Sequence, residues 1–200
     1  MSAHANRSPS GAHGWLECAG WCSDPKGSTH ADEGTDAHEL AAIVLTDGVG
    51  HADVYKGRVM GLGNVVGDEM VLAVQDYVDY VRGVAEATDG EVLVEQRLPI
   101  EAITGEPDAH GTSDSVILAG AELTIVDLKY GRGVPVSAED NPQLQIYALA
   151  ALDEFSLVQD LQQLGATTDV RRSDELTTQE ALEYGGVLLS PGPGTPTDAG

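Results

Sequence analysis

The period of the hydrophobic pattern changes at Asp89-Gly90, and this change limits the fold more than any other feature of the sequence. Before it, from Asp68 to about Ala87, apolar residues recur at steps of three and four, which predicts an amphipathic helix. After it come three runs with the character of strands: Glu91–Ile100, Thr112–Leu118 and Leu123–Tyr130. This order predicts an α/β (α+β) domain in which helices flank a central sheet.

Two further helices are predicted on either side of this region. Thr35 is a suitable N-cap for a helix that ends near Gly48, and Asn141-Pro142 opens a long helix that ends at Gly165. Between the first two helices, residues 47–67 contain six glycines and no periodicity, which predicts a connector. Residues 1–33 are predicted to be a loop-rich N-terminal segment.

The C-terminal part predicts a short βαβ-like extension. Strands near Thr168–Arg172 and Val187–Ser190 would flank a small helix at Thr178–Tyr184. With the three earlier strands they would form a central mixed sheet of three or more strands.

Composition excludes several classes of protein. No apolar run approaches the roughly 18 residues that a transmembrane helix needs, and Met1–Ser10 lacks the apolar core of a secretory signal. Two cysteines are too few for a disulfide scaffold. We therefore expect a cytoplasmic protein without a membrane partner.

The chain is strongly acidic, with 33 Asp and Glu residues against 10 Lys and Arg and a net charge of −23. Such a charge repels nucleic acids and anionic membranes if it belongs to this protein individually. However, the acidic residues are spread along the whole chain, and only three of the ten basic residues are lysines. This pattern is typical of halophilic proteins. Under that interpretation the charge reflects the solvent and does not exclude a DNA substrate.

The hairpin formed by the second and third predicted strands brings two carboxylates together. A turn centred between Gly120 and Ala121 places Asp114 opposite Asp127, with Cβ atoms about 5 Å apart. A divalent cation between the two would remove their repulsion. Lys129 projects from the same face of the strand as Asp127, an arrangement that suits phosphodiester hydrolysis. Taken alone, the pair is equally compatible with an exposed hairpin in a protein rich in acids.

Two other positions are candidates for the same site. His38 is predicted in the first turn of its helix, where an imidazole can bind a metal, although a solvated histidine at a helix start is common. Gln143 and Tyr147 are spaced to share one face of the long helix, where the alternative is a tyrosine packed on the sheet beside an incidental glutamine.

Four motifs occur in a characteristic order: GTxxH (Gly34–His38), GTxD (Gly111–Asp114), DxK (Asp127–Lys129) and QxxxY (Gln143–Tyr147). Together they resemble the RecB-like branch of the PD-(D/E)XK nuclease superfamily, which includes the CRISPR-associated RecB-like exonucleases. The amino-acid sequence around the motifs is similar to that of an uncharacterised phage-associated family of that branch. The resemblance covers about residues 8–153 and implies a restriction-endonuclease-like core in a nuclease domain at 34–153.

The resemblance implies a DNA nuclease that depends on Mg²⁺ or Mn²⁺. It implies that His38, Asp114 and Asp127 bind the metal and that Glu95 adds a ligand. Lys129 would act on the attacking water, and Gln143 and Tyr147 would position the DNA backbone or brace the site. Many RecB-like nucleases hold an iron–sulfur cluster on four cysteines, but this chain has only Cys18 and Cys22, so no cluster is expected. The alternatives are a non-catalytic remnant of the nuclease fold and a DNA-processing accessory protein.

Residues 154–200 resemble a different family. LVQDLQQLGA (Leu157–Ala166), VRRSDELT (Val170–Thr177) and VLLSPGPGTPTDAG (Val187–Gly200) are similar to the N-terminal part of a class I glutamine amidotransferase, the small subunit of anthranilate or aminodeoxychorismate synthase. The catalytic cysteine of those enzymes lies further along, so this truncated segment is expected to be inactive as a glutaminase.

Overall fold

The computed structural model describes residues 5–18, 20, 21, 29–120, 122–131 and 136–163, with residues 29, 30 and 157–163 described by their backbone alone. The elements are α1 (Ala12–Glu17), α2 (Thr29–Thr46), α3 (Asp68–Thr88), β1 (Glu91–Pro99), α4 (Glu101–Thr104), β2 (His110–Ala119), β3 (Glu122–Val126) and α5 (Pro142–Gln163). Short 3-10 turns occur at Pro9–Gly11 and Ala52–Tyr55. The predicted α+β class is confirmed. None of the described helices is both long and apolar enough to cross a membrane.

The three strands form one antiparallel sheet in the order β1-β2-β3. The β2–β3 register is the predicted one, with Ala119 opposite Glu122 and Gly120 in the turn at a positive φ of 58° that glycine adopts without strain. The strands that would make the sheet mixed, near 168–172 and 187–190, lie outside the described residues, as does the βαβ-like extension.

Hydrophobic clusters cover both faces of the sheet. Ile117 of β2 packs with α2 and α3, whereas its neighbours Val116 and Leu118 pack with α5. This alternation follows from the two-residue period of a strand. The predicted apolar face of α3 is buried as expected, with the following residues inside: Met70, Val74, Tyr77, Val78 and Val81. The sheet is therefore held between helices.

Two predicted boundaries are wrong for physical reasons. The helix predicted to start at Thr35 begins at Thr29, and the Thr35 hydroxyl donates a 3.0 Å hydrogen bond to the Ala31 carbonyl one turn earlier. The strand predicted to reach Tyr130 ends at Val126, so Asp127 and Lys129 lie in the segment that follows it. The cause of this early end lies in the candidate site.

The connector between α2 and α3 contains an ordered hairpin at residues 57–66, here called the α2–α3 hairpin. Its two arms are joined by hydrogen bonds of 2.9 Å from Gly57 to Val66, from Val66 to Arg58 and from Met60 to Asn64. Val59 and Val65 form a β-bridge within it. Periodicity could not indicate this element because its arms are too short to show a period.

Candidate active site

The carboxylate of Asp114 joins β2 to α2 and to the segment after β3. Its Oδ1 lies 3.0 Å from Nδ1 of His38, and its Oδ2 accepts a 2.6 Å hydrogen bond from the backbone N–H of Leu128. Because this N–H bonds to a side chain instead of the β2 backbone, the ladder ends at the pair Ser115–Val126. Asp114 and Asp127 are therefore the next facing positions, as the register predicts.

Asp127 is the most enclosed acid of the site, with 5% of its side chain exposed. Its Oδ2 forms an ion pair with the Lys129 ammonium, and its Oδ1 accepts a 2.7 Å hydrogen bond from Nε2 of Gln143. Gln143 is held in the first turn of α5, where Asn141 is the N-cap and its Oδ1 accepts the N–H groups of Gln143 and Leu144. The DxK and QxxxY motifs thus meet at one carboxylate.

His38 approaches this group from α2, although not from the predicted position. Because α2 begins at Thr29, His38 is its tenth residue and lies in the third turn instead of the first. A position well inside an 18-residue helix fixes the imidazole more firmly than a fraying first turn would. The hydrogen bond to Asp114 raises the pKa of His38, and partial burial acts in the opposite direction.

Glu95 lies on β1 at an irregular point of the sheet. Its φ of 51° is in the left-handed region, which is uncommon for a residue other than glycine, asparagine or aspartate. It faces Asp114, between the paired rows Val94–Ser115 and Gln96–Ser113. Leu93 and Leu98 both pack in the α5 cluster although a regular strand would send them to opposite faces. The β1 alternation therefore switches near Glu95, a distortion of the kind found next to active sites.

The pKa values of two acids of the site, Asp127 and Glu95, are raised. Desolvation raises the pKa of Asp127 and the negative charge of Asp114 raises it further, while Lys129 and His38 lower it. Desolvation also raises the pKa of Glu95, again with a contribution from Asp114. Glu95 is exposed to solvent, whereas Asp114 and Asp127 are largely enclosed. Neighbouring carboxylates of this kind give the site an excess of negative charge, which a bound cation would neutralise.

Two buried tyrosines enclose the site. Burial raises the pKa of Tyr147 well above the ordinary range, with the charges of Asp127 and Asp114 adding to the effect and the nearby Gln143 amide opposing it. The Tyr77 hydroxyl of α3 lies 2.6 Å from Oγ of Ser115 on β2, and burial again raises the pKa. The sequence placed Tyr77 only on the apolar face of α3. A hydroxyl on an otherwise aliphatic helix face was the signal that could have suggested a polar partner on the sheet.

The site offers carboxylate oxygens, the ligands that Mg²⁺ and Mn²⁺ prefer, together with one imidazole nitrogen, a donor more typical of transition metals. In the part of the chain that the structure describes, no group of three or more histidine, cysteine, aspartate or glutamate side chains is arranged to hold a metal ion as it stands. Each oxygen of Asp114 and Asp127 already contacts a donor within the protein. A carboxylate oxygen has two lone pairs, so these contacts leave acceptor capacity on all four oxygens.

A family model described as "Protein of unknown function (DUF2800)" matches residues 4–180. The chain belongs to this DUF2800 family. The match includes every residue of the candidate site, and the family description attaches no function to them. The nuclease assignment therefore remains a prediction from the motifs.

Curated relatives match a short part of the chain. Anthranilate synthase component 2 of Azospirillum brasilense is 52% identical over 48 residues, which is 23% of this chain and 24% of that protein. The chloroplastic anthranilate synthase beta subunit 1 of Arabidopsis thaliana is 48% identical over 48 residues, or 23% of this chain and 17% of that protein. The chain thus spans a quarter or less of the length of these relatives. No solved structure matches the chain.

Proposed function

We propose that this DUF2800 protein is a metal-dependent DNA nuclease of the RecB-like type, with a phage or mobile-element role. One observation supports it above all. Side chains from four motifs between Gly34 and Tyr147 converge on two facing carboxylates, Asp114 and Asp127. Scattered surface charges in an acidic protein would have no reason to converge in this way.

His38, Asp114, Asp127 and Glu95 would hold Mg²⁺ or Mn²⁺. When bound, such a cation polarises a phosphate oxygen and lowers the pKa of a water. The positive charges that the chain supplies itself are few, so neutralising the site is the main task left to the metal. Desolvation raises the pKa of Asp127 and Glu95 and repulsion from Asp114 adds to it, which supports this assignment.

In the reaction, the oxygen of a water forms a bond to phosphorus while the bond from phosphorus to a sugar oxygen breaks. The proton lost by the water ends on the leaving sugar oxygen or on solvent. Lys129, whose side chain is 46% exposed, reaches from Asp127 towards the substrate side and orients the water or neutralises charge on the phosphate. Gln143 fixes Asp127, and Tyr147 braces Gln143 from the core.

A second candidate is a non-catalytic nuclease-fold protein that acts as a DNA-processing accessory. It is favoured by the engagement of all four oxygens of Asp114 and Asp127 in contacts within the protein. In that case Lys129 would neutralise Asp127 permanently, as a structural ion pair. The support for an amidotransferase-related role is limited to the 48-residue likeness to anthranilate synthase subunits. The segment that suggested this role, 154–200, lies almost wholly outside the described residues.

A cleavage assay separates the two main candidates. Linear single-stranded and double-stranded DNA are incubated with the protein and Mg²⁺ or Mn²⁺, from low to multimolar KCl. We expect cleavage by the native protein and none by Asp127→Asn, which should also lose measurable Mn²⁺ binding in calorimetry because one of the facing carboxylates is gone. Cleavage that needs no divalent cation, or Mn²⁺ affinity unchanged in Asp127→Asn, would refute the site.

Asp79→Asn is the matched control. Asp79 also accepts a hydrogen bond from a glutamine, Gln75, at 2.8 Å, but it lies on the exposed surface of α3. We expect it to leave both Mn²⁺ affinity and cleavage unchanged. A loss in both variants would indicate a general effect of removing acids instead of a local site.

A further inference from the structure

The α2–α3 hairpin and the three residues before it, which lie between Asp53 and Asp68, have a charge opposite to that of the chain as a whole. Residues 54–67 contain Lys56 and Arg58 and no acidic residue, in a chain with 33 Asp and Glu. The hairpin also exposes apolar side chains: Val59 is 62% exposed, Leu62 55% and Val65 59%. A cationic and apolar projection on an anionic protein needs an explanation, because exposed apolar patches mark interaction sites.

Arg58 is oriented for a ligand that the described part of the chain does not supply. Its guanidinium lies over the ring of Tyr55, 5.5 Å from the centroid, and the Tyr55 hydroxyl is in turn hydrogen-bonded to Asp47. Among the described residues, the Arg58 side chain has no hydrogen-bond or ion-pair partner. A stacked guanidinium keeps its N–H edge available, and that edge matches the oxygens of a phosphate.

Lys56 is held only loosely. It forms an ion pair with Asp68 in which the two side chains are 55% and 75% exposed. Exposed pairs of this kind contribute little to stability, so the ammonium can exchange Asp68 for another anion at small cost.

The tip of the hairpin is fixed in place by α2. Asp36, which is fully buried, accepts hydrogen bonds from the backbone of Leu62 at 2.8 Å and from the backbone and side chain of Asn64 at 3.1 and 2.8 Å. Glu39 accepts a further bond of 3.1 Å from the Gly61 N–H. Three bonds to a buried carboxylate make a firm anchor, so Leu62 is presented to solvent from a rigid support.

A groove of about 340 Å³ lies between this hairpin and the segment that follows β3, although none of the candidate site residues lines it. Asn64 and Val65 form one side of it and Tyr130, the residue after Lys129, lies on another. Glu33 and Glu69 also line the groove, so its walls repel phosphates and accept hydrogen bonds from the amino groups of bases. Lys56, just before the hairpin, forms its ion pair with Asp68, which also lines the groove.

We propose that the α2–α3 hairpin binds the DNA strand that leaves the active site, with Arg58 and Lys56 on backbone phosphates and Leu62 packed against a base. The proposal rests on the nuclease function and adds a substrate-binding surface to it. Apolar side chains inserted beside bases, with cations on the neighbouring phosphates, are an established way to hold DNA.

The test measures DNA affinity by fluorescence anisotropy of a labelled single-stranded oligonucleotide, with Mn²⁺ and in a Lys129→Ala background that slows cleavage. We expect Arg58→Gln to weaken binding about five- to tenfold and to reduce the slope of log K against log[KCl] by about 0.7, the value for one phosphate contact on a single strand. Arg58→Lys should keep the slope. Leu62→Ser should weaken binding without changing the slope, because it removes an apolar contact.

Leu152→Ser is the control, since Leu152 is an equally exposed leucine on α5; it should leave affinity unchanged. Arg58, Leu62, Lys129 and Leu152 all lie on the surface. Unfolding curves verify that the variants are folded. If native protein cleaves DNA while both hairpin variants bind normally, the hairpin proposal is wrong and the exposed valines serve a different partner. If native protein with Mn²⁺ neither binds nor cleaves DNA, the nuclease function fails, and this proposal fails with it.

Discussion

Two enclosed aspartates have opposite electrostatic surroundings. Asp36 anchors the α2–α3 hairpin, and Asp127 lies in the candidate active site. Burial raises the pKa of Asp36, but the hydrogen bonds from Leu62 and Asn64 outweigh it and hold the pKa below its usual value. Burial also raises the pKa of Asp127, and there the negative charge of Asp114 adds to the effect. One carboxylate is fully satisfied within the protein, and the other remains destabilised by a like charge.

This difference is the one expected if Asp36 serves the fold and Asp127 serves a ligand, as proposed above. Neutral amide donors stabilise an ionised carboxylate at no cost in repulsion, so Asp36 needs nothing from outside the chain. Asp127 has a lysine partner and Asp114 has a histidine partner, but the charge of Asp114 still disfavours the ionisation of Asp127, and a bound cation would offset this repulsion. Groups kept in such unfavourable surroundings are typical of functional sites.

The largest effect that tests this contrast between Asp36 and Asp127 is expected from a substitution of Lys129. Lys129→Ala should lower turnover by about 10²–10⁴-fold, the usual contribution of a group that assists proton transfer or charge neutralisation. Its exposed position implies little change in the free energy of unfolding, and Mn²⁺ affinity should be largely retained. Steady-state kinetics and calorimetry on the same preparation check this. Full activity would mean that Lys129 is only a surface charge and that the contrast between Asp36 and Asp127 has no bearing on catalysis.

Asp36→Asn should give the next largest effect, on stability. The substituted amide would turn N–H groups towards the N–H donors of Leu62 and Asn64, and at least one of them would lose its acceptor. We expect the free energy of unfolding to fall by about 1–3 kcal/mol in urea denaturation. An unchanged value would show that the hairpin anchor does not depend on the charge of Asp36.

Asp127→Asn should change stability in the opposite direction. Without divalent cations, the neutral side chain removes the repulsion from Asp114 and can still accept the hydrogen bond from Gln143. We expect the free energy of unfolding to rise by about 1 kcal/mol, because substitutions that remove unfavourable interactions from an active site usually stabilise a protein. The same denaturation experiment in EDTA measures it. A loss as large as that of Asp36→Asn would place Asp127 among the structural acids.

Salt should give the smallest effect and should act on the whole molecule instead of either site. Raising KCl from about 0.1 M to 2 M shortens the Debye length from about 10 Å to 3 Å or less and reduces repulsion among the 33 acidic residues. We expect the melting temperature to rise by about 2–4 °C, or about 1 kcal/mol for a chain of this size. The difference between Asp36→Asn and Asp127→Asn should persist, since buried contacts are poorly screened. A flat or falling melting temperature would contradict the halophile interpretation.

Much of the candidate site could be predicted from the sequence because it depends on local rules. The two-residue period of the strands and the position of Gly120 set the register that brings Asp114 opposite Asp127. The Asn141-Pro142 helix start fixes Gln143 in a first turn. The position of His38 within its helix was wrong because the residues before Thr35 continue the helix, which an N-cap preference cannot reveal.

Other features required the tertiary structure because their causes are contacts between distant residues. β3 ends at Val126 because the side chain of Asp114, on another strand, takes the N–H of Leu128. The glycine-rich connector forms a fixed hairpin because Asp36, more than 20 residues earlier, accepts its N–H groups. The sequence by itself determined the periods, the register and the residues that share a strand or helix face. Only the folded chain decided which carboxylates meet amide donors and which meet one another, since a carboxylate's energy depends on neighbours that no local pattern specifies.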